Sequence, residues 1–340
     1  MEFGELDTED ALGCILAHSV RLAGATFKKG THLDDQALAQ LKAVGMTSLM
    51  VARPQAGDVL EDEAAGRIAG RIAGAEVRVA EPFTGRANIY AREAGVFVAD
   101  AERIGALNRV DEAMTIATLA PFSRVVAGQM VATVKIIPFM VPESQLQALE
   151  RLAGDGPADI SVAGFRPLHV ALIISRLPGD GEKILNKRHQ AVAERISSLG
   201  GTLDVVSYCD HTTKAVTEAI RQTQGQGSDL ILLFGASAIV DRGDVIPAAL
   251  VGAGGALVHF GMPVDPGNLL LYGKLGKAHV VGVPSCASSI KENGFDWVLE
   301  RLFAGLALDR DAFIAMACGG LLKEIPSRPQ PRERGANAGK

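Results

Sequence analysis

Small and polar side chains are concentrated in residues 235–244, which read Gly-Ala-Ser-Ala-Ile-Val-Asp-Arg-Gly-Asp. Small residues let backbone N–H groups approach an anion, Ser237 adds a hydroxyl donor, and a helix expected over Val245 to Leu250 directs its N-terminus to the same place. The carboxylates of Asp241 and Asp244 suit either Mg²⁺ or the hydrogen-bonding edge of a heterocycle. Asp244 also suits the N-cap of that helix, and the two roles are compatible. The segment predicts a phosphate-binding loop.

Two further segments carry similar chemistry. Residues 265–268 (Asp-Pro-Gly-Asn) are typical of a tight turn before a strand. Residues 283–289 (Val-Pro-Ser-Cys-Ala-Ser-Ser) end a strand and are expected to open a helix that carries Phe295, Val298 and Leu302, with three hydroxyls at its start. Taken singly, these are a turn and a Ser-capped helix. Because all three segments follow or precede strands of one expected sheet, we expect them to form one cleft.

The cysteines and histidines show no metal or nucleophile pattern. The four cysteines are far apart and lack zinc spacing. The closest cluster is Cys209-Asp210-His211, where adjacent side chains cannot readily face one metal, and Asp210 is interpreted as a helix cap. The histidines occur singly, and no Ser-His-Asp order is evident.

The elements that would position these loops alternate between apolar strands and amphipathic helices. This pattern is typical of a parallel sheet covered on both faces, in which ligands bind at the strand ends. A hairpin around residues 275–277 and a short C-terminal helix complete the expected elements. The expected strands are 170–175, 203–208, 229–234, 269–274 and 278–283, and the expected helices include 186–199, one that buries Val216 and Ile220, and 309–322.

The N-terminal half predicts a different kind of structure. A helix over 37–44, a strand over 48–51 and a helix over 58–73 precede a mixture of short strands and proline-rich turns. The 58–73 helix repeats Gly-Arg-Ile-Ala twice and is interpreted as amphipathic, with a tight helix-packing surface or a phosphate surface as the alternatives. We therefore expect an α+β region over 1–165, an α/β domain over 166–308, and a C-terminal helix with a disordered tail over 309–340.

Composition excludes several classes of protein. With 34 Lys and Arg against 39 Asp and Glu, the net charge is −5, which disfavours a broad nucleic-acid surface. No apolar run approaches the roughly 18 residues of a membrane helix, so no membrane partner is expected. The first twenty residues are acidic and lack a basic n-region, so no signal peptide is expected and the location is predicted to be cytoplasmic.

Residues 170–305 resemble the molybdopterin-binding domain of molybdopterin molybdotransferase, molybdopterin adenylyltransferase and gephyrin. The family's Gly-rich turn with its following Asp corresponds to Gly235-Ala236-Ser237 with Asp241 or Asp244, and its Pro-Gly-Lys-Pro turn to Pro266-Gly267-Asn268-Leu269. Its Leu-Pro-Gly-Asn-Pro loop corresponds to residues 283–287, and its Gly-Asp-Glu turn loosely to residues 179–182. Residues 13–18 and 29–33 are similar to N-terminal stretches of the molybdotransferase.

The resemblance implies a three-layer, parallel-sheet molybdopterin-binding domain. It also implies molybdopterin as ligand, Mg²⁺ in an active transferase, a homodimer, and a molybdoenzyme or another cofactor-biosynthesis protein as partner. Asp241 and Asp244 would be catalytic, with Asp244 as the metal ligand. The expected ligand-binding residues are Asp180, Gly235, Ala236, Ser237, Pro266, Gly267, Asn268, Pro284, Ser285 and Ser288.

The chain departs from the family pattern at three places. Ala236 replaces a glycine, Asn268 replaces a lysine, and Ser285-Cys286 replaces Gly-Asn. Binding survives such changes more readily than catalysis, which needs closely placed charges. The sequence therefore favours a molybdopterin-binding protein of cofactor biosynthesis or handling over an active transferase. A nicotinamide dehydrogenase on a Rossmann sheet is disfavoured, since no Gly-x-Gly-x-x-Gly follows residues 170–175.

Overall fold

The computed structural model describes residues 1–22, 25–154, 157–265, 267–289 and 291–322. The tail expected after 322 and residues Pro266 and Ile290 lie outside the described residues. The chain divides into two compact units, Met1–Ala163 and Gly164–Lys340. Within the described ranges, no helix is both long and apolar enough to cross a membrane.

The first unit is built from short strands and four helices among its described residues. Its helices are α1 (Asp35–Ala43), α2 (Glu61–Ile72), α3 (Ala101–Asn108) and α4 (Glu143–Ala153). Its strands, the last of which ends at the unit boundary, are β1 (Glu2–Asp7), β2 (Ile15–Leu16), β3 (Val20–Leu22), β4 (Ala25–Phe27), β5 (Ser48–Arg53), β6 (Asp58–Leu60), β7 (Val77–Val79), β8 (Arg86–Ala91), β9 (Gly95–Ala99), β10 (Met114–Thr118), β11 (Arg124–Val125), β12 (Met130–Ile136), β13 (Met140–Pro142) and β14 (Ile160–Gly164).

Helix α2 lies at the centre of the main core of this unit. Ile68 and Ile72 are fully buried in the same cluster as the four-stranded sheet β10-β12-β8-β7, so the apolar face predicted from the repeat is confirmed. The predicted start of the helix is wrong, because Asp58–Leu60 forms β6, which pairs antiparallel with β13. Burial of the β-branched Val59 favours the strand.

The arginine face of α2 makes structural contacts. Arg67 donates to Glu143 on α4 at 2.8 and 2.9 Å, and to Glu150 on α4 at 2.9 and 2.8 Å. Bidentate pairs of this kind fix the angle between two helices. The helix is therefore amphipathic as predicted, and its arginine face also packs against α4, which favours the helix-packing alternative over a phosphate surface.

The second unit contains one six-stranded sheet in the order β16-β15-β17-β20-β19-β18. Its four strands β16, β15, β17 and β20 are mutually parallel, and β19 runs antiparallel to both of its neighbours. The strands are β15 (His169–Arg176), β16 (Thr202–Asp210), β17 (Leu230–Phe234), β18 (Ala256–Met262), β19 (Asn268–Leu275) and β20 (Ala278–Val283). The helices are α5 (Glu182–Ser198), α6 (Thr213–Gln224), α7 (Val245–Gly252), α8 (Gly294–Phe303) and α9 (Arg310–Ala315).

Helices cover both faces of this sheet. Alternate residues of the central strands, such as Ile174 and Phe234, belong to a core shared with α5, α8 and α9. The intervening residues, such as Ile173 and Leu233, belong to a second core shared with α6 and α7. The expected α/β unit with a largely parallel sheet is therefore confirmed, and near-continuous aliphatic strands follow from burial on both faces.

Several predicted details of this unit are wrong. Ser285 does not cap a long helix: Ser285–Ser288 is a 3-10 turn, and α8 begins at Gly294 with Asn293 as its cap. Asn293 and Asp296 form a reciprocal capping box, which a serine turn cannot displace. The C-terminal helix is shorter than 309–322, and strand β18 at the sheet edge is missing from the prediction.

The cap of α6 also differs from the prediction. The side chain of Thr212 accepts from the backbone N–H of Ala215 at 3.2 Å, so Thr212 is the cap. Asp210 instead ends β16 and lies 3.8 Å from Arg176. Asp210 is therefore not the cap of this helix.

Candidate functional site

The predicted loops meet at one edge of the sheet in the second unit. Strands β15, β17 and β20 are parallel, so the segments that follow them, which contain Asp180, Ser237 and Ser285, leave the sheet at its carboxyl edge. Strand β19 runs the other way, with Leu271 opposite Gly282, so Asn268 begins at the same edge. This is where open α/β sheets bind ligands.

The two carboxylates of the 235–244 loop bond the loop itself. Asp244 caps α7, since its Oδ1 accepts from the backbone N–H of Val245 at 2.7 Å and its Oδ2 from that of Val240 at 3.1 Å. Asp241 accepts from the backbone N–H of Gly243 at 2.7 Å. Both carboxylates keep free lone pairs, but each has a structural role before it meets any ligand.

Ser175 and His211 support the start of the same loop. Ser175 is 1% exposed, and its Oγ lies 2.8 Å from Nδ1 of His211. The backbone N–H of Ala236 donates to the same Oγ at 3.1 Å. The Gly235–Ala236 turn is therefore tied to the ends of β15 and β16 by one buried hydroxyl.

Arg188 on α5 brings a cation to the other side of this turn. Its guanidinium lies 5.3 Å from the centre of the Phe234 ring, and Nη2 donates to the carbonyl of Ala236 at 3.4 Å. Its Nη1 is buried and has no hydrogen-bond partner in the described part of the chain. A buried cationic donor without an acceptor is costly, so an anion beside the turn would relieve that cost.

Asn268 is a second buried group without a partner. The residue is 6% exposed, and neither Oδ1 nor Nδ2 of its amide finds a hydrogen-bond partner among the described residues. Gly294 lies against it, because a Cβ at that glycine would stand 2.9 Å from Nδ2. Asn268 is therefore an unsatisfied amide at the carboxyl edge of the sheet.

The segment after β20 is held by one buried arginine. Arg195 on α5 is 8% exposed and donates to the carboxylate of Asp296 at 2.6 Å. It also donates to backbone carbonyls of the segment at 2.6–3.2 Å, those of Ala287, Ser289 and Lys291. Arg195 thereby positions the turn that carries Ser285 and Ser288.

Burial disfavours the charged form of the His211 ring. Burial is the main cause that lowers the pKa of His211 below its usual value. The charge of Asp244 raises this pKa, that of Arg188 lowers it and that of Asp180 raises it. Charges of both signs therefore act on the ring.

The remaining predicted residues have simpler surroundings. Asp180 accepts from the backbone N–H of Leu177 at 2.9 Å and so shapes its own turn. Gly267 has a φ of 106°, a conformation that favours glycine, and Ser237 and Ser285 are exposed. Among the described residues, no three His, Cys, Asp or Glu side chains are grouped to hold a metal.

Sequence reasoning missed Ser175, Arg188 and Arg195. Ser175 falls inside an apolar strand, and the two arginines lie on the expected helix 186–199, for which the sequence indicates only helical spacing. His211 enters the sequence prediction only as part of the Cys209-Asp210-His211 cluster and of the stretch that precedes a helix, not as a ligand-binding residue. The polar residue at the end of an aliphatic strand was the one available signal, because a buried hydroxyl there needs a partner.

Comparison with known proteins does not identify the ligand of this candidate site. The family described as Domain of unknown function (DUF8806) matches residues 5–53, in the first unit. No curated protein matches the chain. The crystal structure of NadC from Streptococcus pyogenes is similar at 12% identity, over 57% of this chain and 80% of that one, with a TM-score of 0.16. A likeness at that score carries no argument, so the site stands on its own geometry.

Proposed function

We propose that the second unit binds a pterin phosphate of the molybdopterin class at the carboxyl edge of its sheet. The observation that carries the proposal is the pair of unpartnered buried groups, Arg188 Nη1 and the Asn268 amide, beside loops rich in small residues and hydroxyls. A phosphate suits the arginine, and a heterocycle with donors and acceptors suits the amide. The resemblance of residues 170–305 to the molybdopterin-binding domain supports the same ligand.

Arg188 favours a negatively charged ligand. The replacement of the family's lysine by Asn268 removes a cation, whereas Arg188 from a different element supplies one at the Ala236 carbonyl. Ser237 and the exposed Ser285 add neutral donors. The combination favours an anion with a polar ring over a purely apolar ligand.

We propose a carrier or handling role rather than group transfer. Asp241 and Asp244 are both bonded to backbone N–H groups of their own loop. If Mg²⁺ takes part, Asp244 or Asp241 would share it with phosphate oxygens of the ligand. A transferase remains the second candidate, because both carboxylates keep lone pairs that face outward from those bonds.

Mass spectrometry of the small molecule released from purified protein tests the ligand class. We expect a pterin phosphate, and Arg188→Met should reduce its recovery at least several-fold, since the ligand loses its charge-assisted bond. Lys187→Met, an exposed neighbour on α5, is the matched control and should leave recovery unchanged. Release of a nicotinamide or adenine dinucleotide instead would contradict the proposal.

A second assay separates carrier from transferase. Protein supplied with molybdopterin, ATP, Mg²⁺ and molybdate should yield no adenylylated or metallated product above the level of free ligand. Robust product formation that Asp244→Asn abolishes, with binding intact, would favour the transferase.

We also propose a homodimer as the assembly. The molybdotransferases that the chain resembles are dimers. Light scattering at tens of micromolar protein should give twice the mass of one chain, and a monomer at that concentration would count against the dimer.

A further inference from the structure

The hydrogen bonds of Ser175 determine which nitrogen of His211 carries a proton. The backbone N–H of Ala236 can only donate, so it uses a lone pair of the Ser175 oxygen at 3.1 Å. The serine hydrogen then has two acceptors, Nδ1 of His211 at 2.8 Å and the carbonyl of Phe234 at 3.4 Å. The shorter contact is the stronger one, so the hydroxyl donates to Nδ1.

A ring that accepts at Nδ1 and is neutral carries its proton on Nε2. Nε2 of His211 has no hydrogen-bond partner within the described residues. The ring stands against the Gly235–Ala236 turn, since a Cβ at Gly235 would lie 3.7 Å from Cε1 of His211. Ser175 therefore prepares an N–H donor beside the turn that Arg188 approaches from α5.

We infer that His211 is a ligand-binding residue whose Nε2–H donates to an anionic oxygen, of the phosphate class, held beside the Gly235–Ala236 turn. Ser175 is its positioning residue. The identity of the whole ligand rests on the proposed function, but the donor and its anion do not.

A neutral donor suits this place better than an imidazolium. The charges of Asp244, Arg188 and Asp180 already act on the ring. The helix N-terminus of α7 and Arg188 supply positive potential, and the histidine adds a fixed direction. A neutral Nε2–H is sufficient for this bond, so the phosphate does not need a charged ring.

The tautomer is tested without any ligand. Nitrogen NMR of histidine-labelled protein, with His211→Asn for assignment, should show His211 as the Nε2–H tautomer at pH 7.5. Ser175→Ala should convert the signal to a mixture of tautomers, while His169 stays unchanged. A ring protonated at Nδ1, or charged at both nitrogens, would overturn the inference.

Binding is tested with inorganic phosphate as the probe. We expect the Nε2 signal of His211 to shift on titration, and His211→Asn to weaken phosphate binding about tenfold. In His211→Gln the amide nitrogen can replace Nε2, so this variant should keep more of the affinity than His211→Asn. His169→Asn, at the opposite end of β15, is the matched control and should bind as the unsubstituted chain does.

The outcomes separate this inference from the proposed function. Phosphate that binds equally well to the chain and to His211→Asn overturns the donor role, even if molybdopterin binds. If phosphate binding requires His211 but molybdopterin does not bind, the donor role of His211 is supported and the proposed function is contradicted.

Discussion

Asp244 joins folding and ligand binding in one side chain. Its carboxylate caps α7 and also bonds the backbone N–H of Val240, so the loop conformation depends on it. A substitution of Asp244 can therefore change both the stability of the fold and the affinity for the ligand. The same holds for Ser175, whose hydroxyl supports both the Ala236 backbone and the His211 ring.

We predict different effects for two substitutions of Asp244. Asp244→Ala should lower the free energy of unfolding by about 1 kcal/mol through loss of the cap. It should also weaken pterin affinity roughly ten- to a hundredfold. Asp244→Asn should cost less stability than Asp244→Ala, because asparagine is an equally good cap and loses only one of the two backbone bonds, while it removes the charge that the ligand site uses. Urea unfolding and ligand titration measure the two quantities separately.

Ser237 should matter less than Asp244. The side chain is exposed, and water can replace a neutral donor to phosphate. Ser237→Ala should cost about 1 kcal/mol of binding free energy or less, with stability unchanged. An effect larger than that of Asp244→Asn in the same titration would contradict this ranking.

At the scale of elements, Arg195 connects α5 to the segment after β20. Its guanidinium bonds three carbonyls of that segment and the carboxylate of Asp296, which also belongs to the cap of α8. Arg195→Met should lower the free energy of unfolding by about 3 kcal/mol, because it strands a half-buried carboxylate and several carbonyls. Fluorescence of Trp297, the single tryptophan, reports this unfolding. Lys187→Met serves as control and should change it by less than about 0.5 kcal/mol.

Two strand glycines in the first unit should differ in how well they tolerate substitution by alanine. A Cβ at Gly95 in β9 would collide with the backbone carbonyl of Ala163, which has no flexible end to move. A Cβ at Gly4 in β1 would meet nothing within 4 Å. Gly95→Ala should therefore destabilise the unit by about 1–3 kcal/mol, whereas Gly4→Ala should be neutral or slightly stabilising. Calorimetry of both variants measures the difference, and equal midpoints would contradict it.

The sequence predicts some elements well because their signals are local. The strands over 170–175, 229–234 and 278–283 are apolar runs bounded by turns, and all three are present. Strand β18 was missed because its residues are mostly half-buried and include His259 and Gly261. The start of α8 was misplaced although Asn293 and Asp296 have capping-box spacing, since the serines upstream offered a competing cap.

The candidate site was only partly predictable for a different reason. The loops can be located from strand ends, but Arg188 reaches Ala236 across 48 positions of the chain and Ser175 reaches it across 61. Contacts of that range depend on strand order, which periodicity alone does not specify. Whether the amide of Asn268 finds hydrogen-bond partners is likewise not predictable from the sequence, because it depends on how Gly294 of α8 packs against it.

At the scale of the whole molecule, stability should depend on pH through half-buried histidines of the second unit. Burial is the first cause that lowers the pKa values of His211, His259 and His279. His169 differs, because its hydrogen bond to Asp204 raises its pKa. As the pH falls, the three histidines with lowered pKa values therefore destabilise the folded state, whereas His169 stabilises it.

The sign follows from proton binding in each state. Between the lowered folded pKa values and the unfolded value near 6.5, the unfolded chain binds more protons, so acid favours unfolding. We expect the free energy of unfolding, followed by Trp297 fluorescence in urea, to fall as the pH decreases from 7.5 to 5.5. His169→Asn should make this fall steeper, because the raised pKa of His169 stabilises the folded state below pH 6.5 and loses that effect as the pH rises. His279→Asn should make the fall shallower, and a stability that rises on acidification would contradict neutral burial of these rings.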